Sequence, residues 1–119
     1  MVQPTANTLR EAGLDNDILM GAAFNVENYS DSMYQSTFKE QYAIGVAENA
    51  CKFGPTQPAQ GKYMLQQCIE HVQAASDNNQ SFRGHNFIWG SYNPHWLDYG
   101  HFDKIELDSI MKDHITTVM

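Results

Sequence analysis

Basic residues are scarce in this chain: seven Lys and Arg stand against fourteen Asp and Glu in 119 residues, a formal charge of −7. The seven are scattered without a basic stripe, which argues against nucleic acid or an anionic membrane as partner. No run approaches the roughly 18 apolar residues of a membrane span. Met1-Val2-Gln3-Pro4 has neither the basic nor the apolar part of a signal peptide, so no export signal is expected in the chain as written. Cysteine is limited to Cys51 and Cys68, too few for a disulfide framework. With Cys68 on the apolar stripe of a helix, both are expected to be free thiols, and they do not reveal the compartment.

Missing motifs exclude further chemistries. The five histidines include no H-E-x-x-H pair, and there is no C-x-x-C, so no metal site is expected. A G-x-G-x-x-G turn, a phosphate-binding loop and a G-x-S-x-G elbow are also missing, which leaves no nucleotide cofactor and no serine triad. Asp98, Asp103, Asp108 and Asp113 recur every fifth residue, a spacing that does not align them on one helix face, and they are expected to be solvated.

What is present alternates. After a lead-in over 1–17, Ile18 to Asn25 is a short apolar run with no polar alternation, the pattern of a parallel strand covered on both faces. Ser30-Asp31-Ser32 supplies capping oxygens for a helix on which Tyr34, Phe38 and Tyr42 recur every fourth residue. Ala43 to Ala47 is a second strand ending at Glu48-Asn49. Phe53 to Gln60, with two prolines and a glycine, is a loop. Tyr63 to Ala75 places Leu65, Cys68, Ile69, Val72 and Ala75 on a second helical stripe. Asp77-Asn78-Asn79-Gln80 breaks that helix, and Ser81 to Trp89 is a third strand with Gly84 where backbones approach closely. After a long aromatic loop, Asp103 caps a helix carrying Leu107, Ile110, Met111, His114, Ile115 and Val118 at i, i+3, i+4 spacing. Three strand–helix alternations imply βαβ crossovers and a parallel sheet. Pattern alone does not separate a barrel segment from a small doubly wound, flavodoxin-like sheet.

Glu48-Asn49-Ala50-Cys51-Lys52 and Arg83-Gly84-His85-Asn86-Phe87-Ile88-Trp89, followed by Pro94-His95-Trp96, resemble the E-N-x-x-K, R-G-H-x-x-x-W and P-x-W signatures of glycoside hydrolase family 10, the retaining endo-β-1,4-xylanases. The resemblance runs from about Ile18 onward and implies an α/β fold: residues 1–119 as the first three βα units of a (β/α)8 barrel, which whole takes about 250 residues. It implies secretion, and xylan or a xylo-oligosaccharide as the partner. The residues expected to bind substrate are Glu48, Asn49 and Lys52 as hydrogen-bonding groups, His85 and Trp89 beside the reacting ring, and Tyr92 as a stacking face with a hydroxyl. A carboxylate, an amide and an ammonium together meet the paired hydroxyls of a pyranose. Gly90 and Tyr92 depart from the family's W-H-S-Q, standing where it has histidine and glutamine.

Retaining glycosidases need two carboxyl groups about 5–5.5 Å apart. The family carries one after strand four, in W-D-V-x-N-E, and the other after strand seven, and neither motif occurs here. No catalytic role is therefore transferred to Glu11, Glu27, Glu40, Glu48, Glu70 or Glu106. The expectation is the N-terminal part of a xylanase-like hydrolase, inactive alone and self-associating through open sheet edges. The alternative is a non-catalytic truncated product, or a carbohydrate-binding or assembly fragment.

Overall fold

A computed structural model describes residues 6–119. The residues of Met1-Val2-Gln3-Pro4 and the start of the 1–17 lead-in lie outside them. Six α-helices and three strands alternate among the described residues: α1 (Leu9–Leu14), β1 (Gly21–Phe24), α2 (Ser32–Gln41), β2 (Ile44–Ala47), α3 (Phe53–Thr56), α4 (Gln66–Asp77), β3 (Ser81–Phe82), α5 (His95–Asp98) and α6 (Lys104–Val118). The described residues divide into two compact units, one of those up to 48 with 70–83 and the other of 49–69 with 84–119.

The first unit holds the sheet, which is parallel in the order β1-β2-β3. Gly21 stands opposite Ile44 and Phe24 opposite Ala47, while Ile44 and Gly45 pair with Ser81 and Phe82. Asp31 caps α2 by accepting from the Met33 and Tyr34 amides, as its capping chemistry predicts. The core of this unit is aromatic: Phe24 stacks on Phe38 with ring centroids 4.2 Å apart and meets the His71 ring at 5.2 Å. The close approach expected at Gly84 occurs at Gly45 instead. A Cβ on Gly45 would lie 2.6 Å from Phe38 and 2.8 Å from Phe24, whereas one on Gly84 would meet nothing within 4 Å. The break after α4 is as expected, with Asn79 at φ 54°, and the Gln80 amide donates to the Phe38 and Tyr42 carbonyls.

Two strand expectations in this unit need correction. β1 is shorter than Ile18 to Asn25, and it is not covered on both faces, because Gly21 and Ala23 are exposed while Phe24 is buried. β3 is two residues long rather than nine: after the Arg83 amide donates to the Gly45 carbonyl, no ladder bond continues toward Trp89. Aromatic and apolar residues at 87–89 read as strand, but only pairing with a neighbour makes one. The lead-in contains α1, whose Arg10 guanidinium donates to the carbonyls of Lys39, Asn78 and Asn79.

The second unit packs around Phe53, which is 1% exposed and stacks on the His114 ring at 3.6 Å. Phe53 lies in α3, so the stretch Phe53 to Gln60 is not wholly loop. On α6 all six residues of the expected stripe are sheltered, and Asp103 closes a reciprocal capping box with Glu106. The stripe on α4, a helix shared between the units, holds only in part. Ile69 and Val72 are exposed while His71 and Ala75 are buried, a shift that hydrophobicity alone does not reveal. Cys51 and Cys68 are joined in a disulfide with Cα atoms 4.8 Å apart, which overturns the expectation of two free thiols. A long-range return of the chain brings the two together across a sequence separation of 17, and no residue pattern in between announces it.

Candidate functional site

The C-terminal ends of β1, β2 and β3 are followed by Asn25, Glu48 and Arg83. In a parallel α/β sheet with barrel topology this is the end where binding groups gather. Glu48 directly follows β2, its amide donating to the Phe24 carbonyl, and its side chain is exposed. Four of the other five residues singled out from the sequence converge on Lys52 within the second unit, directly or through Trp89.

Asn49 and Lys52 sit at the two ends of a turn closed by the Lys52 amide donating to the Asn49 carbonyl at 3.0 Å. The same pair meets again through the side chains, with Lys52 Nζ donating to Asn49 Oδ1 at 2.7 Å. The ammonium lies 5.0 Å from the Trp89 ring centre and 4.7 Å from that of Tyr92. Each such contact is worth about 0.5–1 kcal/mol at an exposed site. The rings are 45% and 40% exposed, so they keep free surface on which a sugar could stack. His85 joins from the side, its ring 6.0 Å from Trp89 and roughly edge-on; the His85–Asn86 peptide is cis. Lys52 has thus used one of its three N–H donors on Asn49, and Asn49 retains its NH₂ group.

The segment bearing Tyr92 is tied to the turn through its backbone, because the Gly54 amide donates to the Tyr92 carbonyl at 3.2 Å. Lys52 is anchored from the other side, since Thr56 Oγ1 donates to the Lys52 carbonyl at 2.8 Å. Cys51, adjacent to Lys52, carries the disulfide to the third residue of α4. The sequence offered no sign of that bond. The second unit also holds a polar network without a sequence signature. Gln57 Oε1 accepts from the Gly61 amide at 2.9 Å, so its NH₂ faces His114 Nδ1, also at 2.9 Å. His114 Nδ1 is therefore the acceptor and Nε2 carries the proton. Burial pushes the His114 pKa down. Among the described residues no cluster of His, Cys, Asp or Glu could hold a metal ion, and no helix is long and apolar enough to cross a membrane.

The sequence profile of glycosyl hydrolase family 10 matches residues 8–119. The chain is 35% identical over 103 residues to endo-1,4-beta-xylanase B of Neocallimastix patriciarum, covering 87% of this chain and 12% of that protein. It is 34% identical over 92 residues to endo-1,4-beta-xylanase 1 of Humicola insolens, covering 76% and 21%. Among solved structures, xylanase 10B of Thermotoga petrophila in complex with xylobiose superimposes with a TM-score of 0.87 at 28% identity, over 98% of this chain and 37% of that one. The fold is therefore part of an α/β barrel, and the doubly wound alternative falls away. The chain spans well under half the length of each of these relatives.

Proposed function

Since the chain belongs to glycosyl hydrolase family 10, we propose that it forms the sugar-positioning part of a xylanase-like hydrolase acting on xylan or a related β-1,4-linked polysaccharide. The observation that carries this is Lys52, its ammonium held by Asn49 Oδ1 and flanked by the Trp89 and Tyr92 rings. Donor, acceptor and aromatic face lie together, which is what one edge and one face of a pyranose require. Asn49, Lys52, His85, Trp89 and Tyr92 form the site in the second unit, while Glu48, one position before Asn49 in sequence, belongs to the first. The relative bound to xylobiose supports a xylo-oligosaccharide as ligand.

These groups position a sugar and do not attack it. Glu48 is the one glutamate that directly follows a strand among the described residues, and retaining hydrolysis needs a pair of carboxyl groups. Catalysis is therefore assigned to a barrel that contains both, and the 119-residue chain by itself is expected to be inactive. The disulfide supports an oxidising, extracellular setting.

The test is titration of the chain with xylotetraose, followed by the indole N–H signal of Trp89 and the side-chain signals of Lys52 and Asn49. A saturable shift at about millimolar affinity or weaker is expected, because an open site leaves its hydrogen bonds wet and adds ordering cost. Identical spectra with xylotetraose, glucose and no sugar would remove the sugar site. Xylan turnover by the isolated chain, after exclusion of host xylanase, would refute the assignment of catalysis elsewhere.

A further inference from the structure

Lys52 is a long, flexible side chain, and it can serve a ligand only if its backbone is held where Trp89 and Tyr92 can flank the ammonium. Three non-covalent ties hold its C-terminal side: the Thr56 amide and hydroxyl on the Lys52 carbonyl, and the Gly54 amide on the Tyr92 carbonyl. On the N-terminal side the Lys52 amide donates to the Asn49 carbonyl, and one residue before Asn49 the Glu48 amide donates to the Phe24 carbonyl. Asn49 itself is exposed. Between Asn49 and Lys52 the chain carries Cys51, 4% exposed and covalently bonded to Cys68 at the start of α4.

We infer that the Cys51–Cys68 disulfide is a positioning cross-link for the binding turn, holding Asn49 and Lys52 in register with Trp89 and Tyr92. This rests on the sugar-site proposal above. The geometry favours it over a purely structural staple, because the bonded cysteine lies between the two polar site residues and next to the one whose ammonium both rings contact. A disulfide at this point restricts the irregular turn itself and so reduces the ordering that a bound sugar would otherwise have to supply.

The experiment compares the oxidised chain, the chain treated with dithiothreitol, and the Cys51→Ser/Cys68→Ser double variant. Reduction passes two electrons from the dithiol: the protein S–S bond breaks, each sulfur takes up a proton, and the reagent closes to its cyclic disulfide. Two readouts are independent of sugar. One is the ring-current shift of the Lys52 side-chain methylenes and the Trp89 indole. The other is amide-exchange protection across β1 and β2, which reports the sheet of the first unit. A third readout is xylotetraose affinity.

The expected result is that the sheet keeps its protection while the Lys52 shifts collapse toward free-lysine values. Affinity should fall about tenfold, the factor equivalent to re-ordering one long side chain on binding. Persistence of the ring-current shifts in either the reduced chain or the variant would overturn the proposal. Loss of sheet protection in both would overturn it as well, since the bond would then stabilise the whole chain rather than place the turn. If the shifts collapse but even the oxidised chain ignores xylotetraose, the positioning role stands and the sugar-site proposal fails.

Discussion

Tyr92 departs from the W-H-S-Q signature that the chain resembles, and the geometry around it is specific. On the resemblance to the family's W-H-S-Q, Tyr92 stands at the position of its glutamine, and here a tyrosine ring lies 4.7 Å from the Lys52 ammonium, offering a cation–π contact in place of a directional amide. Tyr92→Gln should therefore tighten xylo-oligosaccharide binding by about fivefold, the worth of one net hydrogen bond of about 1 kcal/mol. Calorimetric titration of both forms checks this, and unchanged or weaker binding would show that Tyr92 contributes as much as the amide. His114 supports a second prediction. Burial lowers its pKa in the folded chain, and protonation would also set an Nδ1–H against the Gln57 amide hydrogens. The unfolded chain then binds the proton more readily, so stability should be level above the ordinary histidine value near 6.5. It should fall as the pH drops below that toward the depressed folded value. Urea midpoints at pH 7.5 and 5.0 should differ less for His114→Phe than for the native chain. An equal acid loss in both would assign the effect to other groups. The candidate site residues were singled out because each signature carries its polar and aromatic residues at fixed spacing. That Lys52 lies between two rings was not, because it depends on the Gly54 to Tyr92 backbone bond, which joins segments 38 positions apart.

Local cues served the helices and failed the third strand. Asp103 accepts from the Glu106 amide at 2.8 Å, and Glu106 Oε2 accepts from the Asp103 amide at 2.8 Å, so the start of α6 is written in four consecutive residues. Asp103→Ala should cost about 1 kcal/mol of stability, read as a lower urea midpoint with an unchanged slope; a change within about 0.3 kcal/mol would mean that water or the neighbouring backbone replaces the cap. The apolar stripe of α6 held because its period matches one buried face. On α4 it held only in part, since His71 takes a buried place beside Phe24 that apolarity would have given to Val72. Strand length was the least legible feature. Residues 83–89 have strand-like composition, but a strand needs a neighbour's unpaired carbonyls and amides, and β2 offers them only as far as Gly45. The disulfide was hidden for a related reason, because it depends on how the chain returns after α3. Closing a loop of this size is worth about 3 kcal/mol on the chain-entropy account, a large share of the stability of a small domain.

At the scale of the whole chain, the sheet is unfinished on both sides. β1 and β3 are its edges, and an edge exposes a row of backbone donors and acceptors to any strand that can pair with it. One sheet face carries an open groove of about 410 Å³ bordered by Leu19, Gly21, Ala23, Ile44, Val46 and Arg83. Ile18 and Leu19, just before β1, are 55% and 51% exposed. In a closed barrel the interior is packed with side chains from all strands, so apolar surface of this kind is what further strands would cover. The isolated 119-residue chain should therefore self-associate or be loosely packed at high concentration. A polypeptide carrying strands four to eight of a family 10 barrel should shift it to a single ordered complex. Sedimentation velocity with and without that complement gives the size, and amide exchange gives the order: protection should extend to the amides of β1 and β3 that face outward from the sheet, while those between β1 and β2 change little. Association driven by edge pairing should also weaken when Ala23, exposed on β1, is replaced by lysine, since a charge on an edge strand opposes addition of another strand. A compact monomer at millimolar concentration, indifferent to the complement and to Ala23→Lys, would mean that these strands satisfy their own edges, and the proposal that the chain acts as one part of a larger barrel would have to be abandoned.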